Sequence, residues 1–487
     1  MGRNPDSVAG QPNYPVVMTL AAGAIFLSIL DATVANLAVT DMHDSFPGAS
    51  VTDLTWVISL YAIVFASFLA PAGRLADVVG RRRLYVVGMG LFTVTSLLCA
   101  VAPNLPTLLV ARALQGLGAA AMIPASLAVV LADVAPQRRG AAIGLWSAAA
   151  SAAAAAGPSL GGILIDAVGW RSVFFINVPL GIALLVGIRA VRGSTRTGQG
   201  LPDVLGTVLL AAGTGLVVLG ITQGQEWTWD DVRVLGCLVG GLVLLALALV
   251  RAQRHPRPAL QTRLWRSRVF ALANIVSFFF GAALYAWLLV GALFLVDVWQ
   301  YSRISAGLSM SPGALLSAVV AALVGRSLSR RSPHLVVFCG AMTLVAAGLW
   351  LSLTLSSQAA LWSMWIPVGL LAGAGIGAVS TGVSSAAALS VEPADFAGAT
   401  GLNMAVRQIG GALGIAALAA ILPAQTSSEP APYSHVVFFS CATAAVAGLL
   451  GLGFSQRRSR PKPETGQAAA AATAAVAENV SGKGAEL

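Results

Sequence analysis

Residues Gly73 to Gly88 read GRLADVVGRRRLYVVG, and residues Gly325 to Gly340 read GRSLSRRSPHLVVFCG. Both windows open on Gly-Arg and close on glycine at the same spacing. A second pair follows at nearly the same offset: PQRRGAAIGLW from Pro136 and PADFAGATGLN from Pro393, after which Gly157 falls on Gly414. Two aligned pairs in the same order read as a duplicated unit.

The solvent for these units is set by composition. Of 487 residues, 57% are hydrophobic and 10% charged, against about 25% charged in an ordinary soluble domain. Mean hydropathy is +0.82. No single core buries that much apolar surface, so lipid surrounds most of it. Fourteen apolar segments are each about long enough to cross a ~30 Å hydrocarbon layer as a helix. They lie near 16–39, 54–72, 84–102, 105–130, 141–165, 173–191, 203–222, 232–252, 269–298, 305–324, 335–355, 361–387, 398–422 and 435–454. Period-two alternation, the mark of a β-barrel, is missing. The fold class is therefore an all-α polytopic membrane protein. The expected domains are an arm at 1–15, a six-helix bundle at 16–191, a linker with two inserted helices at 192–268, a second six-helix bundle at 269–454 and a disordered tail at 455–487. Two homologous bundles facing each other suit alternating access to a path between them. The inserted pair is expected at the periphery, lending no side chain to that path.

Arginine placement orients the chain. With both termini inside, 24 of the 29 Lys and Arg fall on the cytoplasmic side and 3 outside, a strong positive-inside bias. The net charge of +10 is thus a topology signal with some attraction to anionic lipid, not a nucleic-acid footprint. Arginine outnumbers lysine 27 to 2, which fits a GC-rich bacterial source, and the expected location is the cell membrane. The first helix is expected to act as the insertion signal, without a cleavable leader. The four cysteines sit in four different helices, so small buried hydrophobes are expected and neither a disulfide nor a metal site.

Within AAGAIFLSILDATVANLAV, Ala21 to Val39, one residue is out of place in lipid: Asp31. A carboxylate at mid-helix costs ~2.5–3.5 kcal/mol even on lenient insertion scales. It lies about 22 Å along the first helix, in the outer half, with Thr33 and Asn36 within a turn. Intramembrane acids default to function, and a water-accessible path on which Asp31 gains and loses a proton would explain it. A carboxylate permanently paired with an arginine is the competing reading. Arg112 lies about 10 Å into the fourth helix, where snorkelling to the surface competes with a functional role. Arg407, about 16 Å into the thirteenth, should meet substrate, Asp31 or a backbone carbonyl, and structural pairing competes here too. The candidate substrate-path residues are Asn36, Gln115, Trp146, Asn403, Arg407 and Gln408. Asp297 is a secondary candidate.

On these residues the chain resembles the major facilitator superfamily, and within it the fourteen-helix drug–proton antiporter branch. GRLADVVGRRRLYVVG is similar to the superfamily's loop signature; the resemblance implies that Gly73, Arg74, Asp77, Gly80 and Arg81 form a conformational latch. A merely basic loop is the alternative. Ser329 replaces Asp77 in the second copy, so a latch there is expected to be weaker. LVARALQGLGAAAMIP resembles the fourth-helix signature, whose arginine, here Arg112, the family assigns to proton coupling. SAAASAAAAAGPSLGG resembles the antiporter signature that separates exporters from uptake carriers. It places Gly157, Pro158, Gly161 and Gly162 in a closely packed moving contact. GWRSVFFINVPLG and LDATVANLAV also resemble the exporter branch.

The function this implies is proton-coupled efflux of an amphipathic organic compound such as a drug or antibiotic. Uptake by proton symport is the alternative, and a membrane enzyme or sensor a more distant one. No P-loop and no metal-spaced cluster is present in the sequence, so no metal, no cofactor and no enzymatic activity are expected. The proton gradient supplies the energy. The expected partners are a small organic molecule, protons and lipid, with the chain as a monomer.

Overall fold

The computed structural model describes residues 14–190, 201–224, 226–328, 332–422 and 429–454. Most of the expected N-terminal arm, part of the linker, Ser329 and the tail at 455–487 lie outside the described residues. In lipid a chain must satisfy its own backbone polar groups, and helices do so locally. The described residues form α1 (Tyr14–Met42), α2 (Val51–Val79), α3 (Arg81–Ala100), α4 (Leu105–Asp133), α5 (Arg139–Val168), α6 (Ser172–Phe175), α7 (Asn177–Gly187), α8 (Val204–Gln223), α9 (Val232–Arg254), α10 (Arg268–Asp297), α11 (Arg303–Ser327), α12 (Pro333–Thr354), α13 (Ile366–Leu389), α14 (Phe396–Ile421) and α15 (Ala431–Gly451). Thirteen of these are long and apolar enough to cross a membrane.

Local chemistry sets the boundaries. Ser50 and Asp53 close a capping box that starts α2, and Asn104 accepts the Thr107 N–H to start α4. Gly80, at φ +113°, turns the chain from α2 into α3. The sixth crossing is not one helix but α6 and α7 end to end. Pro179 has no N–H to give Phe175, and the helix is interrupted at Ile176.

The repeat explains how the halves meet. α2 packs on α14, and α5 packs on α11. Each seam closes at glycine. A Cβ on Gly144 would stand 2.6 Å from the Ala321 carbonyl oxygen and 2.7 Å from Gly325 Cα. A Cβ on Gly401 would meet the Leu69 carbonyl and stand 3.2 Å from Gly73 Cα. Under the repeat, Gly144 corresponds to Gly401, Ala321 to Leu69, and Gly325 to Gly73. The two seams are therefore the same contact made twice, related by a pseudo-two-fold axis.

The inserted pair packs against the bundles unequally. α9 leans on α8 with much of its surface outward, but α8 packs on both α2 and α14. Ile63, Ala66 and Val218 form a small core with Ile409 and Ala412 against it. A Cβ on Gly215 would stand 2.8 Å from Ser67 Oγ. α8 thus covers the α2–α14 seam and touches both halves, because its small residues allow an approach that a bulkier helix would not.

Candidate functional site

Asp31 lies inside the first half, 2% exposed. Arg112 Nη1 on α4 donates to its Oδ2 at 2.7 Å. Gln115 Nε2 and Asn177 Nδ2 donate to its Oδ1 at 2.9 and 2.7 Å. Buried charges persist when they are paired and their remaining lone pairs hydrogen-bonded, and both conditions hold. Arg112 also donates through Nη1 to Gln115 Oε1 and through Nε to the Val57 carbonyl. The Tyr61 ring, one turn on from Val57, lies 4.3 Å beneath its guanidinium, and Phe174 flanks it at 5.4 Å. Gln115 closes the network with a bond to Ser96 on α3.

Asp31, Arg112 and Gln115 are thus brought together. Gln115 belongs to the carboxylate network rather than to a path between the halves. Asp31 points into its own bundle, so the water-accessible placement expected for it is not the one seen. Thr33 bonds back to the carbonyls of Ile29 and Leu30 instead of to Asp31. Asn177 was not among the expected residues. Its signal is an amide two positions before Pro179 in an otherwise apolar run, and the interruption at Ile176 brings it to Asp31.

The other path candidates are dispersed. Asn36 is exposed on α1. Trp146 is buried in the first-half core, donating to Ser126 Oγ at 3.3 Å. In the second half, Asn403 Nδ2 donates to the Ala273 carbonyl and Gln408 accepts from the Tyr285 hydroxyl. Arg407 reaches neither Asp31 nor any other carboxylate among the described residues. It donates to Ser384 Oγ at 3.1 Å and to Asn403 Oδ1 at 3.4 Å, over the Phe280 ring. Asp297 accepts from the Tyr433 hydroxyl near the end of α10.

At the arginine-rich end, Asp77 bridges the halves. Its carboxylate accepts the N–H groups of Ala397 and Gly398 at the start of α14, at 3.2 and 2.7 Å, where a helix N-terminus favours an anion. Arg81 holds the same carboxylate at 2.9 Å and donates to the Pro393 carbonyl. Gly73 sits against Ala397 with no room for a Cβ, and Arg74 is buried beside it. Sequence reading did not show the third element here. Gln261 and Arg263, in the connection after α9, hold Asp395 in the turn before α14.

The Gly157–Gly162 stretch of α5 faces two ways. Gly157 and Gly161 admit Thr33, Val34 and Leu37 of α1, while Pro158 and Gly162 meet Gly307 and Ile304 of α11. One stretch therefore joins the helix that carries Asp31 to a seam between the halves.

Duplicated halves that meet at mirrored glycine seams suit alternating access to a path between them, and the family and relatives of the chain are those of a transporter rather than an enzyme. The Major Facilitator Superfamily profile matches residues 21–415, and the chain belongs to that superfamily. It is 34% identical over 429 residues to a protein named multidrug resistance protein Stp, from Mycobacterium tuberculosis, covering 86% of this chain and 78% of the relative. It is 33% identical over 474 residues to a methylenomycin A resistance protein from Streptomyces coelicolor, covering 95% of each. Among solved structures, the human organic anion transporter MFSD10 superposes with a TM-score of 0.62 at 14% identity, covering 91% of this chain and 99% of the other, a likeness of fold.

Proposed function

We propose that the chain exports an amphipathic organic compound across the cell membrane in exchange for protons, as a monomer with both termini in the cytoplasm. The direction follows the resistance names of its relatives. The orientation follows the arginine bias, which puts the Asp77 junction on the cytoplasmic side and makes the described state closed there. The observation that carries proton coupling is the Asp31 network. A proton on Asp31 removes the anion from Arg112 and leaves a buried cation with only neutral partners, a costly arrangement. α1 and α4 must then rearrange. α1 packs through Thr33, Val34 and Leu37 on Gly157 and Gly161, and the same stretch of α5 meets α11, so the change has a contiguous route to the seam.

The test is expression in a pump-deficient bacterium challenged with a broad panel of toxic compounds. The expected result is raised tolerance and lowered accumulation of at least one amphipathic compound, abolished by Asp31→Asn. Raised accumulation would favour uptake by symport instead. Unchanged tolerance across the panel would sink the efflux reading.

A further inference from the structure

We propose that Arg407, with Ser384 and Asn403, is the anchor for a carboxylate on the transported compound, so that the cargo is an organic anion or zwitterion; this rests on the efflux reading above. Each of the two buried arginines of the bundles leaves one buried nitrogen without an acceptor, Nη2 of Arg112 and Nε of Arg407, but of the two only Arg112 has a carboxylate partner among the described residues. Arg112 is met by a carboxylate, an amide oxygen, a backbone carbonyl and two aromatic rings. Arg407 is 9% exposed, about 16 Å from the start of α14 and so near mid-membrane. It takes part in none of the ion pairs among the described residues. Its Nη2 has one good acceptor, Ser384, and one long one, Asn403. Its Nε is buried and donates to nothing.

A guanidinium at that depth with two neutral acceptors lacks the charge that would stabilise it. Its planar fork matches a carboxylate through two parallel bonds. The surroundings are built to hold the fork still. Asn403 is fixed by its own bond to the Ala273 carbonyl, leaving Oδ1 for Arg407, and the Phe280 ring supports the guanidinium from 5.5 Å. Five residues further along α10, the Tyr285 hydroxyl is held by Gln408, the neighbour of Arg407 in sequence, at 2.7 Å. The first half would then bind the proton, and the second half would bind the cargo's negative charge.

The test uses inside-out membrane vesicles carrying the full chain, Arg407→Gln or Arg407→Lys. The probes are fluorescein, 1-pyrenebutyrate and indomethacin, each beside its methyl ester, with ethidium as a permanent cation. At least one acid should be exported about tenfold or more faster than its ester. Arg407→Gln should lower export of that acid by about 10- to 100-fold, the range for a lost charged hydrogen bond, while any ester or ethidium transport persists. Arg407→Lys, which keeps the charge and loses the fork, should fall between; it carries the test alone if Arg407→Gln does not fold. Export of esters or ethidium but of no acid, or wild-type export of the acid by Arg407→Gln, would overturn the anchor and leave the efflux reading standing. A failure to export any compound, here and in the resistance panel, would overturn both.

Discussion

Adding one methyl group at Gly144 or at Gly401 should open the arginine-rich end of the bundle. At Gly144 the new Cβ would stand 2.6 Å from the Ala321 carbonyl oxygen and 2.7 Å from Gly325 Cα. Both are backbone atoms, so no side chain can swing aside. The helices must part by roughly 1 Å to regain ordinary contact, and overpacking of this kind typically costs about 1–3 kcal/mol. The cost falls on the closed seam alone, so the ratio of closed to open states should drop by about 5- to 150-fold. Gly401→Ala should act in the same direction, because it is the repeat-related position facing Leu69 and Gly73. Spin labels on Gln137 and Glu392, both exposed at that end, would report the separation by double electron–electron resonance in a cysteine-free background. Each variant should move population to longer distances. Gly90→Ala, where a Cβ meets nothing within 4 Å, should not, and should gain up to about 1 kcal/mol of helix propensity. Unchanged distances in both seam variants, or a shift in only one, would refute the mirrored-seam account.

Two further outcomes follow from the same contacts. Asp77→Asn removes the charge that caps α14 and pairs with Arg81; about 1.5–3 kcal/mol of closure should be lost, so transport falls while substrate affinity in detergent stays at wild type. A matching loss of affinity would contradict the assignment of Asp77 to gating. Gly215→Leu should impair transport by wedging α8 off Ser67 at the α2–α14 seam, whereas Gly236→Leu on α9, where a Cβ meets nothing within 4 Å, should leave turnover intact; equal effects would show that α8 has no special place.

Much of the architecture was legible because it is written as period and repetition. Apolar length marked the crossings, and the glycines of the two repeat windows turned out to be the residues on which the seams close. The side each helix presents was harder to read. A helix apolar all round carries little directional pattern, so nothing near Asp31 in the sequence said that it turns inward to α4 and α7 rather than toward the other half. Arg112 and Gln115 could be singled out by their polarity; Asn177 could be found only with the interruption that Pro179 causes. The seat of α8 was illegible for a related reason. Small residues permit close approach but do not name the partner, and neither repeat window reaches the insert. Gln261 and Arg263 lie in a basic connection whose sequence names no partner, and only the fold brings Asp395 to them.

Proton coupling through Asp31 is most directly tested in proteoliposomes, with wild type and Asp31→Asn side by side and a compound from the resistance panel as substrate. Two rates are needed: accumulation driven by an imposed pH gradient, and exchange of labelled for unlabelled compound with no gradient. The variant keeps the shape of the side chain but cannot take up or release a proton at that position. Asp31→Asn should lose gradient-driven accumulation and keep exchange, since exchange needs no net proton movement and the residues of the seams, the Asp77 junction and Arg407 are all retained. Gradient-driven accumulation at the wild-type rate would contradict the assignment of the proton to Asp31.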